Sequence, residues 1–137
     1  MWRNVGAVIL GLIVGMVVNM LILQVNSLVF PLPEGVDPTD YDALKAAMST
    51  QPALAWVGVI AAHLGQAFVG GWVAARTGAS RPVLLALIVG VLSLAGGVAN
   101  AVLLSTPAWT WIEMPLYLVV AWLAGKQVER SRAGAGS

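Results

Sequence analysis

Apolar residues along this chain gather into long stretches separated by short polar or proline-bearing punctuation. Four stretches stand out, over residues 5–30, 52–75, 82–105 and 108–128, with Pro31, Arg76, Arg81 and Pro107 at their borders. Crossing a hydrocarbon core of ~30 Å takes about 20 helical residues at ~1.5 Å each, so every stretch is long enough. Inside lipid each backbone N–H and C=O must find its partner within the segment, and four segments are too few to close a barrel. The pattern therefore predicts an all-α polytopic membrane protein. It is a single domain over residues 1–137, with four transmembrane helices in an antiparallel bundle. The first stretch is too long for a signal-peptide core, and no small-x-small cleavage site follows it.

Composition agrees with lipid as the solvent. Apolar residues make up 59% and charged residues 9%, against about a quarter charged in ordinary soluble domains. The absence of cysteine excludes disulfides, thiolate chemistry and iron–sulfur ligation. The basic segments at residues 76–81 and 126–132 are short and read as membrane flanks, so no nucleic-acid partner is expected. With the N-terminus inside, Arg3, Arg76, Arg81, Lys126, Arg130 and Arg132 lie on the cytoplasmic side and Lys45 alone lies outside. That is the positive-inside bias. Glu34, Asp37, Asp40 and Asp42 then fall in the outer loop, residues 31–51. Tryptophan prefers headgroup depth. Trp2, Trp72 and Trp122 are expected to anchor the inner interface, and Trp56, Trp109 and Trp111 the outer one. The expected location is the cell (inner) membrane, multi-pass, with both termini cytoplasmic.

The outer loop begins with PLPEGVDP, too rich in proline and glycine for regular structure. Asp37 and Pro38 then read as an N-cap and first helical position, and Tyr41, Leu44 and Met48 form one apolar stripe. A short amphipathic helix over residues 38–48 is expected on the outer face.

Close approach of helices in lipid relies on small residues. The first stretch carries Gly11 and Gly15 in a row with Ala7 and Asn19. The second carries Gly58 and Gly65, and the third carries Gly90 and Gly97. These rows fit contacts within one chain or between chains. Two short echoes also occur, GMVVN with GGVAN and WVAAR with WLAGK, although any inner interface pairs tryptophan with a basic residue.

Polar side chains at membrane depth are where function is expected to show. His63 lies about 16 Å below the outer end of its stretch, with Gln66 one turn further in. Asn19 and Asn100 fall in the outer half, and Glu113 a turn or two below the start of the last stretch. Facing inward, these residues form a polar pocket in which His63 and Glu113 titrate while the amides hydrogen-bond. Facing one another in pairs, they are helix glue worth about 1 kcal/mol each. No catalytic set is recognisable. Ser93 sits in VLSLAGG without an oxyanion hole to serve a dyad with His63. One histidine and one carboxylate are too few for a metal, and no cofactor is expected. Small multidrug exporters share the size but rest on a glutamate in their first helix, which is missing here.

The succession FPLPEGVDPTDYDALKAAMSTQP, GGWVAAR, GGVANAVLL and TPAWTWIE resembles a group of small four-span bacterial membrane proteins. Their outer loop is of the P-x-G-x-D-P type, matched here by Pro33, Gly35, Asp37 and Pro38. The group has no established activity. The resemblance spans about Gly11 to Lys126, implies a bacterial inner membrane and lends no catalytic residue. The first functional expectation is a non-enzymatic component, a homo-oligomer or an accessory subunit of a membrane complex, whose partners are the bilayer and other membrane subunits. The second is a transporter or channel for a small solute, proton-coupled or apolar, using His63 and Glu113. A membrane-embedded enzyme comes third.

Overall fold

The computed structural model describes residues 1–135, which contain helices and no strand. In chain order these are α1 (Trp2–Val29), α2 (Tyr41–Ser49), α3 (Ala53–Thr77), α4 (Pro82–Leu103), a 3₁₀ segment (Ala108–Ile112) and α5 (Glu113–Gly134). Three of them, α1, α3 and α4, are long and apolar enough to cross a membrane.

The last stretch differs from expectation. It is not one helix over 108–128 but a 3₁₀ segment that hands over to α5 at Glu113, and α5 continues to Gly134. Pro115 explains the break, because it has no N–H to give to the Trp111 carbonyl. A proline is tolerated in the first helical turn, where that donor is unpaired in any case. Beyond residue 128 the basic tail prolongs the helix instead of ending it. The first three boundaries shift by no more than a few residues, with Pro82 opening α4 behind a left-handed Arg81 (φ 52°).

In the outer loop, the Val36 N–H donates to the Pro33 carbonyl across a turn whose third residue is Gly35 at φ 82°. Only glycine adopts that conformation without strain. Asp37 is not the helix cap. Its carboxylate accepts from the Thr39 hydroxyl at 2.7 Å and the Thr39 N–H at 2.8 Å. These bonds, the hydroxyl first, hold its carboxyl below the ordinary carboxylate range. The cap is Asp40, which accepts from the Asp42 and Ala43 N–H groups and starts α2 at Tyr41, three residues later than the sequence suggests. α2 has no extensive contact with the other helices.

Helix α3 is the centre of the packing, touching α1, α4 and α5. Glycine sets the distances. A Cβ on Gly11 would lie 2.9 Å from the Ala74 Cβ and closer still to the Gly70 carbonyl, and one on Gly15 would lie 2.7 Å from the Gln66 carbonyl. Gly58 accommodates the Asn26 side chain, and Gly65 the Ile22 side chain. Between α4 and α5, Gly90 faces Ala121 and Gly97 faces the Tyr117 ring and hydroxyl. All the glycines singled out in the sequence are thus occupied by contacts within one chain. At one end Ala74, Leu85 and Val89 form a cluster with Val8 and Leu12 against it, and Ala75, Ala86 and Val128 form a second. The other side of α1, with Ile13, Met16 and Met20 more than half exposed, is an uninterrupted apolar surface.

Tryptophan requires one correction. Trp2, Trp72, Trp109, Trp111 and Trp122 are exposed, but Trp56 is 4% exposed. It lines one hollow with Leu104 and Pro107 of the connection after α4 and with Trp109. It packs within the protein and cannot serve as an anchor.

The basic end is tied together by side chains that cap backbone. Arg132 Nη2 donates to the carbonyls of Ala75 and Arg76 in the last turn of α3 and of Gly78 just beyond it, at 2.7–3.1 Å. Arg3 Nε donates to the Thr77 carbonyl, and Asn4 bonds Ser80 Oγ and the Ala79 N–H. Charge-assisted bonds of this kind contribute about 1.5–3 kcal/mol. Arg132→Ala is therefore expected to lower stability by roughly 2 kcal/mol, read as an earlier thermal unfolding in mild detergent. Arg130→Ala, whose side chain caps no carbonyl, should leave the midpoint in place.

Candidate functional site

Each of the four long helices contributes a polar side chain to one cavity of about 270 Å³. Asn19 comes from α1, His63 and Gln66 from α3, Ser93 and Asn100 from α4, and Tyr117 from α5. The helical period explains the grouping. His63 and Gln66 are three residues apart and share a face of α3, while Glu113 and Tyr117 are four apart and share a face of α5.

His63 Nδ1 lies 3.2 Å from Glu113 Oε2 and 3.3 Å from Oε1. An ionised carboxylate only accepts, so that state places a proton on Nδ1; a protonated Glu113 can donate to the ring nitrogen instead. The side chains are 12% and 5% exposed, so the pair is withdrawn from solvent. Glu113 is the first residue of α5, where the N-terminal end of the helix favours negative charge. The His63 ring stacks on Tyr117 with centroids 6.2 Å apart and an interplanar angle of 28°. Gly97 makes room for the tyrosine, since a Cβ there would collide with its hydroxyl. Gln66 Nε2 stands 3.5 Å from Ser93 Oγ.

Tyr117 is 1% exposed, and its hydroxyl has no hydrogen-bond partner among the described residues. A buried hydroxyl left unpaired costs about 1–3 kcal/mol. Because Tyr117 lines the cavity, a polar group placed there would relieve that cost. The cluster of Ala74, Leu85, Val89, Val8 and Leu12 lies between the cavity and the basic end, so apolar packing closes that route.

Of the residues expected to form a pocket, Asn19, His63, Gln66 and Asn100 line the cavity. Glu113 stands behind His63 and reaches the site through it. Asn26 lies apart and ties α1 to α3 by donating to the Ala55 carbonyl at 3.1 Å. Tyr117 was not foreseen, nor was Ser93 as part of the lining. The signal for Tyr117 was the row Glu113, Tyr117 and Ala121 at four-residue spacing, all of them buried. His63 and Glu113 are 50 residues apart, the interval that also separates Trp72 from Trp122 and Arg76 from Lys126. The packing is nevertheless not two-fold, because α3 packs on α4 whereas α1 has no extensive contact with α5. No three metal-ligating side chains come together among the described residues.

Chemically, the imidazole–carboxylate pair can hold and pass a proton. The surrounding amides, hydroxyl and phenol can both donate and accept. Comparison with family models, with curated proteins and with solved structures finds no match for this chain.

Proposed function

We propose that the chain is a small-solute transporter or channel of a bacterial inner membrane. In this reading α5 joins α1, α3 and α4 in crossing the bilayer, the four helices run antiparallel, and both termini are cytoplasmic. Every basic residue except Lys45 belongs to the end held by Arg3 and Arg132 or to the helical turns beside it, which supports that orientation. The cavity then belongs to the outer half of the membrane, and the Leu12–Val89 plug closes the way inward.

One observation carries the reading: polar side chains from every long helix converge on one cavity at a depth where polar groups are costly. Their chemistry favours a small neutral solute that hydrogen-bonds, rather than an apolar one. A cavity of this size is at the small end for ligand sites, suited to a polyol or amide of few heavy atoms. His63 and Glu113 serve as the proton-holding pair beside the solute. The alternative, a component of a larger assembly, needs another surface for its partner, because the glycine rows are filled within the chain; the apolar side of α1 is one such surface.

The test is uptake of a panel of small radiolabelled polyols and amides into proteoliposomes. The wild-type chain should carry at least one of them. Glu113→Gln and His63→Asn, close in size to the originals, should each lower the rate by about tenfold or more, equivalent to about 1.4 kcal/mol. Undiminished uptake by both variants contradicts the reading.

A further inference from the structure

At the basic end, away from the polar cavity, a groove runs between α3 and α5. Three hollows of about 330, 330 and 230 Å³ adjoin there: Gln127 lines all of them, Phe68 joins the first to the second and Trp72 the second to the third. Trp122 and Leu123 form the opposite wall, and Arg76, Lys126 and Arg130 border the groove. Its apolar walls are open to the surroundings: Trp122 is 44% and Leu123 47% exposed.

The cations of this end divide into two sets. Arg3 and Arg132 are engaged with backbone carbonyls. The guanidinium groups of Arg76 and Arg130, by contrast, make no hydrogen bond or ion pair among the described residues. Lys126 alone is paired, with Glu129 at 2.6 Å. Three cations therefore face one carboxylate beside a groove walled by two tryptophans. Aromatic rings settle at headgroup depth and aliphatic walls suit an acyl chain, while each cation near the surface attracts anionic lipid. A soluble anion would leave the apolar walls uncovered, and a neutral lipid would leave the guanidinium groups unpaired.

We propose that this groove binds an anionic diacyl phospholipid of the inner leaflet, with its phosphate on Arg76 and Arg130 and an acyl chain along Phe68, Trp72 and Trp122. Lys126 adds charge but stays with Glu129. The site does not depend on the function of the polar cavity; it rests on the proposed topology, with α3 and α5 in the bilayer and the basic end cytoplasmic.

The experiment is native mass spectrometry of the full chain in mild detergent, titrated with phosphatidylglycerol or phosphatidylcholine of matched chains. Phosphatidylglycerol should be retained about tenfold better than phosphatidylcholine. Arg76→Gln combined with Arg130→Gln should abolish that preference, and Trp72→Ala with Trp122→Ala should weaken retention with every charge intact. Arg81→Gln, at the same end but outside the groove, should leave retention unchanged. All these side chains are exposed or peripheral, and an unaltered thermal midpoint will show that the variants are folded. Equal retention of the two lipids by the wild type, full preference in the double arginine variant, or an equal loss in Arg81→Gln would each overturn the proposal.

Discussion

Gly11→Leu should unfold the α1–α3 pair, while Gly6→Leu, little more than one turn earlier on the same helix, should have almost no effect. The two positions differ in what lies opposite. A Cβ on Gly6 meets nothing within 4 Å, whereas one on Gly11 runs into the Gly70 carbonyl and the Ala74 Cβ. The contact is reciprocal, since a Cβ on Gly70 would lie 2.6 Å from the Gly11 carbonyl. Backbone stands on both sides, so no side chain can swing away to make room. Overpacking by a few methylenes costs about 1–3 kcal/mol even where side chains can rearrange. Here roughly 3 kcal/mol or more is expected, a large share of a folded protein's marginal stability. Thermal unfolding of the monomer in detergent separates this from an assembly defect. Loss of a larger species with the monomer's midpoint unchanged would assign Gly11 to an interface between chains.

The second large effect concerns the buried pair. Removing one partner of a buried hydrogen-bonded pair costs about 1–3 kcal/mol, more where the group left behind is charged, because the other is left without its counterpart. The two removals should be unequal. Without Glu113, the His63 ring still has Tyr117 against it and amides around the same cavity. Without His63, Glu113 is 4% exposed with no other side-chain partner for its carboxylate among the described residues. His63→Leu should therefore be the more damaging change, by about 1–2 kcal/mol over Glu113→Leu. The double variant should recover much of the loss, since an apolar pair of similar volume has no group to leave unsatisfied. Chemical unfolding of the four species gives the coupling directly. Additive losses would mean that the two side chains do not interact in the protein.

The sequence made depth legible but not azimuth. His63, Gln66, Asn19 and Asn100 were recognisable because amides and imidazoles are conspicuous on apolar helices, and counting the rise from each end set them level. Which helix meets which depends on close contacts that a one-dimensional pattern does not contain. Gly97 is the clearest instance: small-residue spacing marked it as a packing position, but only the three-dimensional contact shows that it holds the Tyr117 hydroxyl at the cavity. Trp56 misled for the same reason. A tryptophan near the end of an apolar stretch reads as a headgroup anchor, and its burial beside a hollow it shares with Leu104 and Pro107 depends on a segment some fifty residues later. Asp37 read as the cap because Pro38 follows it, yet the Thr39 hydroxyl captured Asp37 and left the capping to Asp40. Arg132 looked like flanking charge because its partners are carbonyls more than fifty residues away.

A chain without cysteine invites single-cysteine labelling. Asn100→Cys places a thiol on the polar cavity, and Leu92→Cys places one two turns away on the exposed apolar side of α4. Intact cells treated with a charged, membrane-impermeant thiol reagent should label position 100 and leave position 92 unreacted. Labelling of 92 as fast as 100, or labelling of 100 only after the cells are opened, would contradict an outward-facing polar cavity held within lipid.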